Sequence, residues 1–326
     1  MAIEILIIKL GAKGDILRTL PIALALKKKY PDSRMSWITE KKNSEFIKKS
    51  LYVDEVLFIP CQISKNFDIL YNFDIEEEAT LLANRIDAER KLGFYNEGGY
   101  ASAFNLGAEY YLNTLFDDNI KKTNKKTYQE MMFMAAELEF NGEFHPISLG
   151  EKEKKYAEEF LKENNLKGKK IIGIHIGSSP RWPSKFWPIE KIKEFILKAK
   201  KDYEIILFSG PDDNKKRKEI LSNLNYKVPC NNPYNTDMEF ASLVNLCDFV
   251  VCGDTFALHV ALALKKRTVA LFFCTSPNEV EGYGVLKKII SKKIYDFFPE
   301  KQDEYSEELV NSISVEEVLK AIDSFD

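Results

Sequence analysis

Residues 4–21, EILIIKLGAKGDILRTLP, decide how the chain is to be read. The apolar run Glu4–Lys9 reads as a buried strand, glycines at 11 and 14 turn the chain, and a helical period follows. Strand, glycine turn and helix is the build of a phosphate cradle, where bare N–H groups at a helix start receive an anion. This turn instead carries a carboxylate, Asp15, which would repel one. Either Asp15 is only a helix-start residue held by the macrodipole, or it does chemistry of its own. Pro21 leaves the helix start open: it kinks a helix begun near Asp15, or opens one capped by Thr19.

Outward from this stretch, short β-rich runs alternate with helical segments, the pattern of parallel α/β sheets. Strands are expected at Glu4–Lys9, Met35–Thr39, Glu55–Ile59 and Ile69–Asn72, with helices at Pro21–Lys29 and Asn43–Lys49. The lysine-rich passage Lys121–Lys126 reads as a loop. Around Asn141–Glu153 the chain turns polar, with Gly142, Pro146 and Gly150, and reads as a linker. The alternation then restarts with the strand Lys170–Ile176, the loop GSSPRWPSKFWP and an amphipathic helix through Ile189, Ile192, Phe195, Ile196 and Ala199. YEIILFSG, CDFVVCGD and RTVALFF read as strands, DDNKKRKEILSNL and TFALHVALAL as helices. Ser314 with Glu317 three later predicts a capping box for a closing helix. The expected domains are residues 1–148 and 149–326, two Rossmann-like halves facing each other across a cleft.

The bulk properties fit a globular protein of the cell interior. The chain has 326 residues, 45% hydrophobic and 30% charged, more than one core usually serves. Its net charge is −3: residues 1–150 carry 19 basic and 22 acidic side chains, and the rest 28 of each. Neither half is a polycation, so no nucleic-acid partner is expected. Five cysteines at scattered spacing (61, 230, 247, 252, 274) argue for reduced thiols rather than a disulfide framework. Met1-Ala-Ile-Glu runs into a strand without a leader-like segment, and no apolar run reaches the roughly 18 residues of a membrane span. The expected location is the cytoplasm.

Ligands of open α/β sheets bind beyond the carboxyl ends of the strands. Besides LGAKGD, two loops of that kind stand out. In GSSPRWPSKFW, Ser178 and Ser179 offer hydroxyls and N–H groups, Arg181 and Lys185 add cations, and Trp182 and Trp187 can wall the loop. This suits a diphosphate, which needs several donors and charge neutralisation; the alternative is a solvated loop with tryptophans packed for stability. In GDTFALH, Asp254 and Thr255 fall at a strand-to-helix junction, where either can cap the helix. His259 lies four residues after Thr255 on the same helix face. Together they make a second wall of a phosphate or sugar site, or an ordinary cap with a buried histidine. No D-x-D, no G-x-x-x-x-G-K-[ST] and no G-x-G-x-x-G occurs, and His145, His175 and His259 are the only histidines. A metal–diphosphate clamp, an ATPase loop, a dinucleotide fingerprint and a histidine-rich metal site all lack their residues.

Taken together, these loops resemble the heptosyltransferase family (glycosyltransferase family 9) over most of the chain. The carriers are KLGAKGDILRTLP, DSRMSWITE, RWPSKFWPIEKIKEFI and CDFVVCGDTFALHVALAL. The resemblance implies a GT-B fold and an inverting, metal-independent transfer without a cofactor. It implies a nucleotide-diphosphate sugar donor, ADP-heptose foremost, and a lipopolysaccharide-type or other surface-glycan acceptor. By that likeness Asp15 matches the catalytic base, with Gly14 and Arg18 on the acceptor side. Lys185 matches the donor-phosphate lysine, and Ser178 and Ser179 small residues at the donor phosphates. Asp254, Thr255 and His259 match D-T-G-x-x-H, and Asp212 or Asp213 an acidic residue that holds the ribose. A lipid-linked acceptor would bring the protein to the inner membrane face, where Lys27–Lys29 and Lys48–Lys49 touch anionic groups or simply face solvent. Phe256 stands where the family has glycine, Phe273 and Cys274 where it has Gly and Pro, and Arg18 where histidine is frequent. The Phe256 ring either turns into the core or projects into the donor pocket; with Phe273 and Cys274 it reads as a reshaped pocket wall. Rival readings are a sugar-nucleotide epimerase or isomerase on the same fold, and a sugar-nucleotide-binding protein without turnover.

Overall fold

The computed structural model describes residues 2–63, 65–177, 181–222 and 224–325. They form two compact units, Met1–His145 with Asn278–Glu281, and Pro146–Pro277 with Gly282–Asp326. Both are parallel α/β sheets with helical connections.

The first unit has six strands: β1 (Glu4–Ile8), β2 (Arg34–Thr39), β3 (Glu55–Phe58), β4 (Phe67–Asn72), β5 (Ala88–Glu97) and β6 (Tyr100–Ala103). Their order is β3-β2-β1-β4-β5-β6, parallel except for the β5–β6 hairpin. Ile5, Leu6, Ile7 and Ile8 are fully buried, as a central strand covered on both faces must be. The order reverses direction between β1 and β4, so a crevice lies beyond their carboxyl ends.

The second unit has β7 (Ile171–His175), β8 (Glu204–Phe208), β9 (Phe249–Gly253), β10 (Arg267–Phe272) and β11 (Leu286–Ile290), ordered β11-β10-β9-β7-β8 and all parallel. Its reversal falls between β7 and β9. Ile172, Ile174, Val251, Val269 and Leu271 meet the apolar faces of helices Ile189–Ala199 and Val315–Asp323 in one core. The capping box expected at Ser314 and Glu317 is present.

Several local expectations are corrected. A single helix spans Lys13–Lys29, with Pro21 inside it, rather than beginning at Pro21. An internal proline costs roughly 3 kcal/mol; burial of Ile16, Leu17, Leu20, Ala23 and Leu26 along this helix offsets that. Asn43–Lys49 is a 3₁₀ turn, Lys41–Asn43, followed by the short helix Glu45–Lys48. The passage Lys121–Lys126 is helical in its first half: helix Asp118–Thr123 starts because the Asp117 carboxylate accepts the N–H groups of Asn119 and Ile120. The polar stretch read as a linker already contains the start of helix Glu151–Glu163, where Glu153 accepts the Gly150 N–H. The hairpin β5–β6 was not foreseen; it turns on Gly98 and Gly99, both at positive φ, where other residues are strained.

His145, at the end of the first unit, is buried, with its Nε2 2.8 Å from the Ser50 hydroxyl and its ring edge-on to Tyr52. Burial lowers its pKa to about 4, against about 6.5 when unfolded. Between these values the unfolded chain binds a proton that the folded one refuses, so stability falls as pH drops from about 6.5 to about 4. The loss is on the order of 3 kcal/mol. Melting temperatures across this range should show it, with a shallower slope in His145→Gln; identical slopes would contradict the assignment.

Candidate active site

The crevice of the first unit lies where a Rossmann sheet receives phosphate, and here a carboxylate of the chain itself fills it. Asp74, two residues past β4, accepts the N–H groups of Leu10 (3.0 Å) and Gly11 (3.4 Å) on its Oδ2 and that of Glu76 (3.2 Å) on Oδ1. The Lys9 ammonium stands 3.4 Å from the same Oδ2. The carbonyls of the loop are equally engaged: Trp37 donates to Lys9 O, and Thr39 and Asn43 to Leu10 O. Two N–H groups of the loop, those of Leu10 and Gly11, are thus committed to an internal anion.

Gly14, Asp15 and Arg18 share the first turns of helix Lys13–Lys29. The N-cap is Ala12, and the Asp15 carboxylate pairs with Arg18 one turn on. The Asp15 side chain is 32% exposed and that of Arg18 16%. Arg18 is fixed by its guanidinium lying 3.9 Å over the Tyr128 ring. Thr19 bonds both the Asp15 carbonyl (2.7 Å) and the Tyr128 hydroxyl (3.2 Å). The arrangement holds an accessible carboxylate on a rigid helix turn.

The crevice of the second unit is differently furnished. Its first wall is the loop after β7, anchored by Trp187, whose buried indole donates to Ile313 O (3.0 Å), and by Ser184, bonded to Glu304 O and Ser306 N. From this frame Lys185 reaches Asp254 at 3.6 Å, with both side chains mostly covered. Gly253 makes the approach possible: a Cβ there would lie 2.5 Å from the Lys185 carbonyl. Asp254 also faces His259, Nε2 to Oδ1 3.8 Å. The Trp182 ring lies 5.9 Å from the Lys185 ammonium and 4.9 Å from the exposed Arg181 guanidinium. Ser178 and Ser179 lie outside the described residues.

Other expected residues are sorted by their contacts. Thr255 is the N-cap of helix Phe256–Ala263 by position, but its side chain makes no cap bond; its hydroxyl lies 3.5 Å from His175 Nδ1. Asp213 accepts the Gly210 N–H (3.0 Å) and so braces the loop after β8, while Asp212 is exposed. Phe256 is half-buried. Its ring stacks on Phe240, which meets Phe208 and His175 edge-on. Phe273 and Cys274 are buried in the core of the unit. Phe273 and Cys274 thus belong to the core, whereas Phe256 keeps part of its surface outside it. Of the lysines considered for membrane contact, Lys27 is engaged with Ser33 O and Asp54, and Lys48 lies over the Phe58 ring.

Two residues at this crevice escaped the sequence reading. Burial, with Lys216 nearby, lowers the His175 pKa to about 4, so the ring is neutral beside Thr255. Lys216 donates to Ile176 O at 3.0 Å, and its burial lowers its pKa against the pull of Asp213. The sequence signal for His175 is GIHIGSS, a polar residue closing an apolar strand just before the loop. Among the described residues no group of three or more His, Cys, Asp or Glu side chains gathers to hold a metal ion, and no helix is long and apolar enough to cross a membrane.

A family model for glycosyltransferase family 9 (heptosyltransferase) matches residues 62–310. The lipopolysaccharide heptosyltransferase 1 of Campylobacter coli is 24% identical over 346 residues, covering 98% of each chain. Among solved structures, the family 9 glycosyl transferase of Veillonella parvula matches with a TM-score of 0.77 at 19% identity, over 98% of this chain and 96% of that one. The ADP-heptose lps heptosyltransferase II of E. coli matches at 0.73 and 18%, over 99% and 98%. At such identities the likeness shows the fold, which is GT-B.

Proposed function

The chain belongs to glycosyltransferase family 9, the heptosyltransferases, and on that premise we propose that it transfers a heptose-type sugar from ADP-heptose to a lipopolysaccharide-type acceptor, with inversion and without a metal. The observation that carries this reading is the contrast between the two crevices. One carries an internal carboxylate, Asp74, on the Leu10 and Gly11 N–H groups and offers the Asp15 carboxylate on the helix turn that follows them. The other offers Lys185, braced by Asp254 and His259.

In this reading the acceptor hydroxyl attacks the anomeric carbon, the bond to the diphosphate breaks, and the proton passes to Asp15. An alcohol is far less acidic than a carboxylic acid, so the proton moves late, as the new C–O bond forms. Gly14 and Arg18 shape the acceptor side. Lys185 and Arg181 neutralise the departing diphosphate, and Ser178, Ser179 and Thr255 supply hydrogen bonds to it. Asp254 and His259 hold Lys185, and the exposed Asp212 takes the ribose, since Asp213 is committed to its own loop. Phe256 covers the donor side from its stack on Phe240. The protein works in the cytoplasm, meeting a lipid-linked acceptor at the inner membrane face.

The test is donor consumption with and without a heptose-deficient lipopolysaccharide. ADP release should require the acceptor; loss of donor without it would sink the transfer reading. Activity should also persist in excess chelator, because Lys185 and Arg181 carry the charge a metal would otherwise offset. A strict need for Mg²⁺ or Mn²⁺, restored on adding the ion back, would contradict this.

A further inference from the structure

The hairpin β5–β6 has no task in the chemistry above, yet it stands at the end of the sheet where that chemistry is placed. The β4–β5 pairing ends at Asn72 and Gly93, and the β1–β4 pairing at Ile8 and Asn72. Phe94–Glu97 and their antiparallel partners Tyr100–Ala103 therefore run on past the carboxyl ends of β1 and β4. Asp15 follows that same end of β1. Ring contacts join the two places. Phe94 lies 5.6 Å from Tyr111, and Tyr111 lies 5.9 Å from Tyr128, on whose ring Arg18, the partner of Asp15, rests.

Between the hairpin and the start of helix Leu106–Phe116 lies a groove of about 520 Å³, a size that suits a small ligand. One wall is aromatic: the rings of Tyr95 and Phe104, both half-buried, stack at 4.6 Å with their planes 24° apart. The polar part of the lining is Glu97, Ser102, Glu109 and Asn113, and among the described residues no lysine, arginine or histidine lines the groove. The frame is held from within. Asn105 accepts the Gly93 N–H (3.0 Å) and donates to Ala135 O (3.2 Å), so its amide ties hairpin to helix instead of capping the helix. The Tyr95 hydroxyl donates to Glu97 (3.1 Å). A sugar ring has an apolar C–H face and a rim of hydroxyl donors. It is matched by an aromatic surface bordered by acceptors, and carboxylates are the strongest of these. The same carboxylates repel a phosphorylated sugar. We infer that this groove is an acceptor subsite, which takes an uncharged sugar of the glycan other than the one that reacts at Asp15. The inference rests on the transfer reading and adds to it what part of the acceptor the first unit recognises.

The experiment is steady-state transfer from ADP-heptose to the deacylated oligosaccharide of a heptose-deficient lipopolysaccharide, used phosphorylated and after its phosphates are removed. Tyr95→Ala should raise the KM for the dephosphorylated oligosaccharide by about three- to tenfold, while kcat and the KM for ADP-heptose hold. Tyr95→Phe keeps the ring and should stay near the parent. Glu109 is exposed, so Glu109→Lys should fold. It should shift the ratio of kcat/KM for the two oligosaccharides by about tenfold toward the phosphorylated one. A merely structural role for the hairpin would lower kcat for both alike and leave that ratio in place. If Tyr95→Ala fails to fold, Glu109→Lys decides alone. An unmoved acceptor KM in folded Tyr95→Ala, or an unmoved ratio in Glu109→Lys, overturns the inference. With ADP release still dependent on the acceptor, such a result fells the groove alone, whereas release without acceptor fells the transfer reading beneath it.

Discussion

Asp15→Asn is expected to lower turnover by about 10²-fold or more while ADP affinity stays within a few-fold. The amide keeps the size of the side chain and one oxygen for Arg18, so the helix turn should persist. What is lost is the capacity to accept a proton as the acceptor oxygen bonds to the sugar. General-base catalysis typically contributes about 10²–10⁴-fold. Because Asp15 belongs to the first unit and Lys185 to the second, donor binding should not register the change. Steady-state kinetics with calorimetry for ADP separate the two quantities. Near-normal turnover would return Asp15 to the status of a helix-start residue satisfying the macrodipole.

Lys185→Ala should act on the opposite quantity, weakening ADP binding by about 10–100-fold, the worth of a hydrogen bond to a charged group. The contact is only part of the expected loss. Lys185 is a partner of Asp254, and without it that carboxylate would face the incoming diphosphate with less positive charge beside it. Lys185→Arg should recover part of the affinity, since the charge returns but the placement set by Ser184 and Trp187 does not suit a longer planar group. Calorimetry that finds unchanged affinity, with unchanged turnover, would assign Lys185 to the surface.

The strand-end loops were legible because their chemistry is local: a glycine, a charge and a helix start within a few residues define what can be presented there. The family resemblance rested on those same stretches. What escaped was decided by distant partners. The helix through Pro21 depends on an apolar face closed by tertiary packing. Asp74 lies 59 positions after Asp15 and reaches the first loop only because the sheet sets β4 beside β1. The Phe256 ring stacks on Phe240, which belongs to another helix, a pairing no local stretch of sequence announces. His175 and Lys216 gain their meaning from burial at the reversal of the second sheet, which no window of sequence reveals.

The anchors of the Lys185 loop also govern when that lysine becomes available. Ser184 is fixed by Glu304 and Ser306, and Trp187 by Ile313, partners that are synthesised more than a hundred residues later. A ribosome delivers the chain from its amino end, and domains fold as they emerge. The nascent protein can therefore lay down β7, β8 and β9 long before the loop between the first two has anything to grip. Lys185 is among the last features to be set, so an incompletely translated chain carries a folded sheet and an unanchored Lys185 loop.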